Sequence, residues 1–218
     1  MNGPDMIVLR ALGALLSYPG AEMRAALPEI AEMLRGSPLM APDDRAAVLA
    51  LIDLLRSADP LWAEERYVEL FDRGRATSLH LFEHVHGEAR DRGEAMVELK
   101  EIYERAGLRL HAQELPDYLP VVLEYLSCRS LAEARDMLGD CAHILRAIGG
   151  ALRQRGSSYG TIFTALLGII GEADAGEEAA TSRRLATPED IDRDWEELPA
   201  FAPESGPTGA RPGRRTER

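Results

Sequence analysis

The densest group of residues able to do chemistry is Leu79-His80-Leu81-Phe82-Glu83-His84-Val85-His86. His80 and His84 stand four apart, and on a helix that spacing sets both imidazoles on one face, as a metal pair requires. Glu83 falls beside them, and a third ligand would come from His86, His111, His143 or a distant acid. The order is not the H-E-x-x-H of a zinc protease, and two ligands do not make a site. The preferred expectation is that these imidazoles make hydrogen bonds across a helical bundle or lie partly exposed. A helical metalloenzyme using His80, His84 and Glu83 is the alternative reading.

Phe71-Asp72-Arg73-Gly74-Arg75 sets a glycine between two arginines, as a phosphate nest does. It lacks the preceding strand and repeated glycines of a P-loop. Gly74 is better read as closing a helix, with Thr77 or Ser78 capping the next. Glu114-Leu115-Pro116-Asp117-Tyr118-Leu119-Pro120 reads as a helix start with Pro116 near the first position and acids around it. That assignment leaves the side chains of Asp117 and Tyr118 for contact. Nucleophilic catalysis has little support: Cys128 and Cys141 have no neighbouring histidine, and neither G-x-S-x-G nor a His-Asp dipeptide occurs.

The elements that must position these residues are helical. Val8, Leu12, Leu15 and Leu16 make one stripe, closed by Tyr18-Pro19-Gly20, and Ala21 to Arg35 continues as helix, broken or restarted at Pro28. Val48, Leu51, Ile52 and Leu55 lie on one face, and Asp59-Pro60 opens a helix to about Phe71. Leu131, Ala134, Leu138, Cys141, Leu145, Ile148 and Leu152 predict one long helix with a bundle seam, and Met96, Leu99, Tyr103 and Ala106 a shorter one. Residues 117–128 are apolar on more than one side and predict a central helix, and a last helix covers Tyr159 to Ile170. No segment alternates as a strand would.

The 218 residues carry 25 basic and 37 acidic side chains, a formal net charge of −12, which argues against nucleic-acid binding. Residues 172–198 hold ten acids and three arginines, and residues 199–218, with four prolines and three glycines, read as a flexible tail. A helical domain over 1–171 followed by an acidic segment and tail over 172–218 is therefore expected. Two cysteines do not make a disulfide framework. No apolar run approaches the roughly 20 residues of a membrane span, and Met1-Asn2-Gly3-Pro4-Asp5 lacks the basic region of a signal peptide. A cytoplasmic location is expected.

Tyr67-Val68-Glu69-Leu70-Phe71-Asp72-Arg73-Gly74-Arg75, then Ser78 through Glu88, then Arg90-Asp91-Arg92-Gly93 closely resemble the NarJ-type nitrate reductase assembly chaperones, the delta-subunit family among the TorD-like helical chaperones. The segment Glu114–Pro120 and Leu16-Ser17-Tyr18-Pro19 match the same family, and the resemblance covers roughly residues 5–170. It implies an all-α, single-domain helical bundle of the TorD-like type, without catalytic residues, bound cofactor or metal. The implied partner is the apo catalytic subunit of respiratory nitrate reductase, bound through its N-terminal leader while the molybdenum cofactor is inserted and before membrane attachment. Molybdenum cofactor biosynthesis proteins are further implied partners, and a permanent structural subunit of the reductase is the remaining alternative.

Such leaders are basic and partly apolar, so an acidic surface would attract them and a groove between helices would take their apolar face. On this reading Phe71, Leu79, Phe82 and Tyr118 supply apolar contact, while Asp72, Glu83 and Asp117 meet leader arginines or amides. His84 or His86 would make binding sensitive to pH near neutrality.

Overall fold

Asp59 and Pro60 show how local chemistry sets the helix boundaries. The Asp59 carboxylate accepts from the Trp62 backbone N–H at 3.1 Å, and Pro60 fills a first-turn position where an N–H would have no partner. Ser130 and Glu133 form a reciprocal capping box, and Gly171, at φ 81°, ends the last helix in the left-handed conformation.

The structure, a computed structural model, describes residues 4–85, 89–111 and 114–172. After a short 3-10 turn the helices run α1 (Ile7–Leu15), α2 (Ala21–Arg35), α3 (Pro42–Ser57) and α4 (Pro60–Phe71). Two 3-10 turns, Arg75–Thr77 and Leu81–Glu83, lead to α5 (Ala89–Arg105), α6 (Leu119–Ser127), α7 (Leu131–Asp140), α8 (Ala142–Gln154) and α9 (Gly160–Ile170). Among the described residues there is no strand, only an isolated antiparallel bridge between His80 and Tyr118. None of their helices is long and apolar enough to cross a membrane. The expected acidic segment and tail lie, beyond Glu172, outside the described residues.

One apolar core joins α1, α2, α3, α4, α6, α8 and α9 through residues such as Leu12, Leu27, Leu51, Leu70, Leu123, Leu145 and Phe163. Helix α6 lies against α1, as a centrally placed apolar helix should, and Gly13 faces Pro120 and Leu123 across their contact. A side chain there would meet the Pro120 carbonyl oxygen at 3.1 Å. Helix α5 buries Leu99 and Tyr103 and leaves Val97 and Ile102 exposed.

Three boundary expectations are corrected. Helix α2 passes Pro28 without a break, and its Arg24 guanidinium donates to the Leu55 and Ala58 carbonyls at the end of α3. The seam over 131–152 belongs to two helices, not one. Cys141, at φ −96° and ψ 4°, interrupts them, and one residue in that bridge region keeps the buried stripe of Ala134, Leu138, Leu145, Ile148 and Leu152 continuous. Pro116 does not start a helix. Its carbonyl accepts from the Tyr103 hydroxyl at 2.8 Å, and α6 begins at Leu119, with Pro120 in the first turn.

Candidate functional site

An aromatic group at the junction of α1, α4 and α9 forms the floor of the site. The Tyr67 hydroxyl, on α4, donates to the Leu16 carbonyl just after α1 at 2.8 Å and lies 3.0 Å from the Tyr118 hydroxyl. The Tyr67 ring meets Tyr18 edge-on at 5.7 Å and Phe71 at 4.8 Å, while Tyr159 stands edge-on to Phe71 at 5.2 Å.

Two loops complete the walls, joined by backbone and by one carboxylate. The Leu119 N–H donates to the Leu79 carbonyl at 2.8 Å and the Leu81 N–H to the Asp117 carbonyl at 3.0 Å. The fully buried Asp117 side chain accepts from the Phe82 N–H at 3.1 Å and approaches His80 Nδ1 to 3.3 Å, with Arg92 at 4.0 Å. His80 in turn lies on the Tyr118 ring, 5.2 Å between centroids. On the other side of the loop Arg75 donates a forked pair to the Glu83 carbonyl at 2.9 and 2.8 Å.

Above this floor is a cavity of about 330 Å³ lined by Tyr18, Tyr67, Phe71, Asp72, Leu79, His80, Glu114, Leu115 and Tyr118. It shares Phe71, Asp72 and His80 with an open hollow of about 730 Å³ that adds Arg73, Gly74, Arg75, Glu83 and Arg92. Through Tyr18 it adjoins another hollow, of about 640 Å³, along Leu61, Trp62, Glu64, Glu65, Arg66, Glu69 and Arg73. The result is a trough following α4, with exposed apolar side chains at Tyr18, Leu61, Trp62 and Leu115.

Of the side chains expected in such a groove, Phe71, Asp72, Leu79 and Tyr118 line the central cavity and Glu83 the hollow beside it. Phe71 and Leu79 are core residues, 6% and 2% exposed, that present only an edge. Phe82 and His84 line neither space. The expectation that Asp117 faces a ligand is corrected, because its carboxylate is sealed inside and occupied by its own chain.

The histidines follow the preferred expectation, hydrogen-bonded and partly exposed, and not the alternative of two imidazoles on one helical face. His80 has extended backbone and points to Asp117, whereas His84 ends a 3-10 turn and sets Nε2 2.9 Å from the Ser78 carbonyl oxygen. Among the described residues no three His, Cys, Asp or Glu side chains gather as metal ligands; His86 lies outside those residues. Gly74 follows α4 rather than cradling a phosphate, and Thr77 beside it donates to the Leu70 carbonyl. Sequence reasoning passed over Tyr18, Tyr67, Glu114 and Leu115 as wall residues, although each lies inside one of the motif segments quoted above.

Burial holds the phenols of Tyr67, Tyr118 and Tyr159 above the ordinary value of 10, and the Tyr118 hydroxyl adds to the effect at Tyr67. The folded state thus keeps these protons after the unfolded chain has released them. Their contribution to stability is complete below pH 10 and is lost as pH rises above it. The expected slope is about 1.4 kcal/mol per pH unit for each such tyrosine. Melting temperatures measured between pH 8 and 11 will fall above about pH 10, and Tyr67→Phe will make that fall shallower. An unchanged slope in Tyr67→Phe would refute the assignment to this hydroxyl.

The fold and the trough define an all-helical bundle with an open, charged and partly apolar surface hollow. The sequence model of the nitrate reductase delta subunit family matches residues 21–165, and the chain belongs to that family. It is 44% identical over 196 residues to the nitrate reductase molybdenum cofactor assembly chaperone NarJ of Escherichia coli K12, covering 88% of this chain and 83% of that protein. That span exceeds the one over which the motifs run. Identity is 38% to the probable nitrate reductase molybdenum cofactor assembly chaperone NarW of the same strain, over 88% of this chain and 82% of that protein. A probable chaperone of the same description from Bacillus subtilis 168 is 32% identical over 78% of this chain and 92% of its own length.

Proposed function

We propose that this chain is an assembly chaperone of a respiratory nitrate reductase. It binds the N-terminal leader of the apo catalytic subunit in the trough along α4, in the cytoplasm, and keeps that subunit open for molybdenum cofactor insertion before membrane attachment. It acts by binding, not by catalysis. The carrying observation is that motif segments far apart in sequence, around Tyr18, Phe71, Leu79 and Tyr118, meet around one cavity. The names of the relatives support an assembly role over that of a permanent subunit or a metalloenzyme.

Asp72 gives the cleanest test. It is exposed, lines the cavity and makes no side-chain hydrogen bond among the described residues. A carboxylate that meets a leader arginine contributes about 1.5 kcal/mol or more through charge-assisted hydrogen bonds. Asp72→Ala should therefore weaken a synthetic leader peptide about tenfold by calorimetry while the melting temperature stays put. Full affinity in both Asp72→Ala and Leu115→Ala would refute the trough as the leader site.

A further inference from the structure

The two ends of the trough differ in charge, although the chain as a whole is acidic. The side along α4 presents Glu64, Glu65 and Glu69, with Arg66 paired to Glu69 at 2.6 Å and Arg73 at the edge shared with the loop side. The loop side presents Arg73, Arg75 and Arg92, three guanidiniums against the carboxylates of Asp72 and Glu83. Two of these cations, Arg73 and Arg75, have no carboxylate partner among the described residues. Arg73 makes no hydrogen bond or ion pair among the described residues. Arg75 spends its fork on a backbone carbonyl, which leaves its charge uncompensated. Arg92, by contrast, is ion-paired, 3.9 Å from Glu83 and 4.0 Å from the buried Asp117. Arg73, with its N–H fork unspent, lines an open hollow of about 730 Å³ beside the charge of Arg75, and such a fork is shaped to receive a carboxylate in bidentate fashion.

Resting on the leader-binding reading above, we infer that the trough selects a segment of divided charge. Its basic residues lie over Glu64 and Glu65 of α4 and an acidic side chain further along is held by Arg73 and Arg75. Along α4 from Glu64 to the helix end at Phe71 the separation is about 10 Å, at about 1.5 Å per residue. A helical ligand needs roughly seven residues between its basic and acidic groups, an extended one roughly three. Charge division also fixes direction, because a segment docked in reverse would set arginine against arginine and glutamate against carboxylate.

The test uses the full chain and a synthetic peptide of the first 30 or so residues of the client's catalytic subunit, by calorimetry. Replacing the peptide's acidic residues by their amides should weaken binding about tenfold. Arg73→Glu, a change at an exposed side chain, should do the same to the unmodified peptide. A peptide with lysine at those acidic positions should recover affinity for Arg73→Glu and not for the parent chain. Amide peptides that bind within twofold of the original would overturn the inference while leaving the leader site standing. A parent chain that binds none of the peptides would overturn the leader-binding reading itself.

Discussion

Asp117→Ala is expected to lose about 3 kcal/mol of stability, a fall of about 10 °C in melting temperature for a chain of this size. The carboxylate has no contact with solvent, and every polar neighbour belongs to the protein: the Phe82 N–H, the His80 imidazole and, further off, Arg92. Truncation leaves the Phe82 N–H without an acceptor and opens a void beneath the bridge between His80 and Tyr118. Asp117→Asn keeps an oxygen for the Phe82 N–H and should lose well under half as much. Hydrogen exchange should quicken at Leu81 and Phe82, whose amides both bond to Asp117. Leader affinity should fall with them, since the same loops wall the cavity. A melting temperature within 2 °C of the parent would refute this keystone role.

The reversal at Asp117 shows where sequence reasoning meets its physical boundary. An acid just before a helix is a common helix-start residue, and its burial here depends on the 78–84 loop, some 35 positions away. The same long-range bridge explains the histidines. Local spacing sets His80 and His84 on one helical face, but backbone bonds from Leu81 to Asp117 and from Leu119 to Leu79 hold the segment extended and in 3-10 turns. Helix α4 was legible because its start is local chemistry, Asp59 and Pro60, and its end is marked by Gly74. The break at Cys141 was not, because a single residue in the bridge region preserves the three-four spacing on which the seam was read. Tyr18 became a wall residue only through the Tyr67 bond to Leu16, which draws the end of α1 onto α4.

Two adjacent glycines in α8 should respond to the same substitution with opposite sign. In a helix interior alanine is favoured over glycine by about 1 kcal/mol, because glycine loses more backbone freedom on folding. At Gly150 nothing lies within 4 Å of the added methyl, so Gly150→Ala should raise the melting temperature by about 2–4 °C. At Gly149 the methyl would lie 2.9 Å from Phe163 Cβ, at the packing of α8 on α9. A Cβ is fixed to the backbone, so a rotamer change of Phe163 cannot relieve that contact, and the helices must separate. Overpacking of this kind costs about 1–3 kcal/mol, which exceeds the propensity gain. Gly149→Ala should lower the melting temperature, and Gly149→Val, with two more methyls in the same space, should cost about 3 kcal/mol. Urea unfolding of the three variants measures the difference directly. Equal gains from alanine at both positions would show that α8 and α9 are not in close contact at Gly149, and would remove the packing that supports Tyr159 against Phe71 at the floor of the trough.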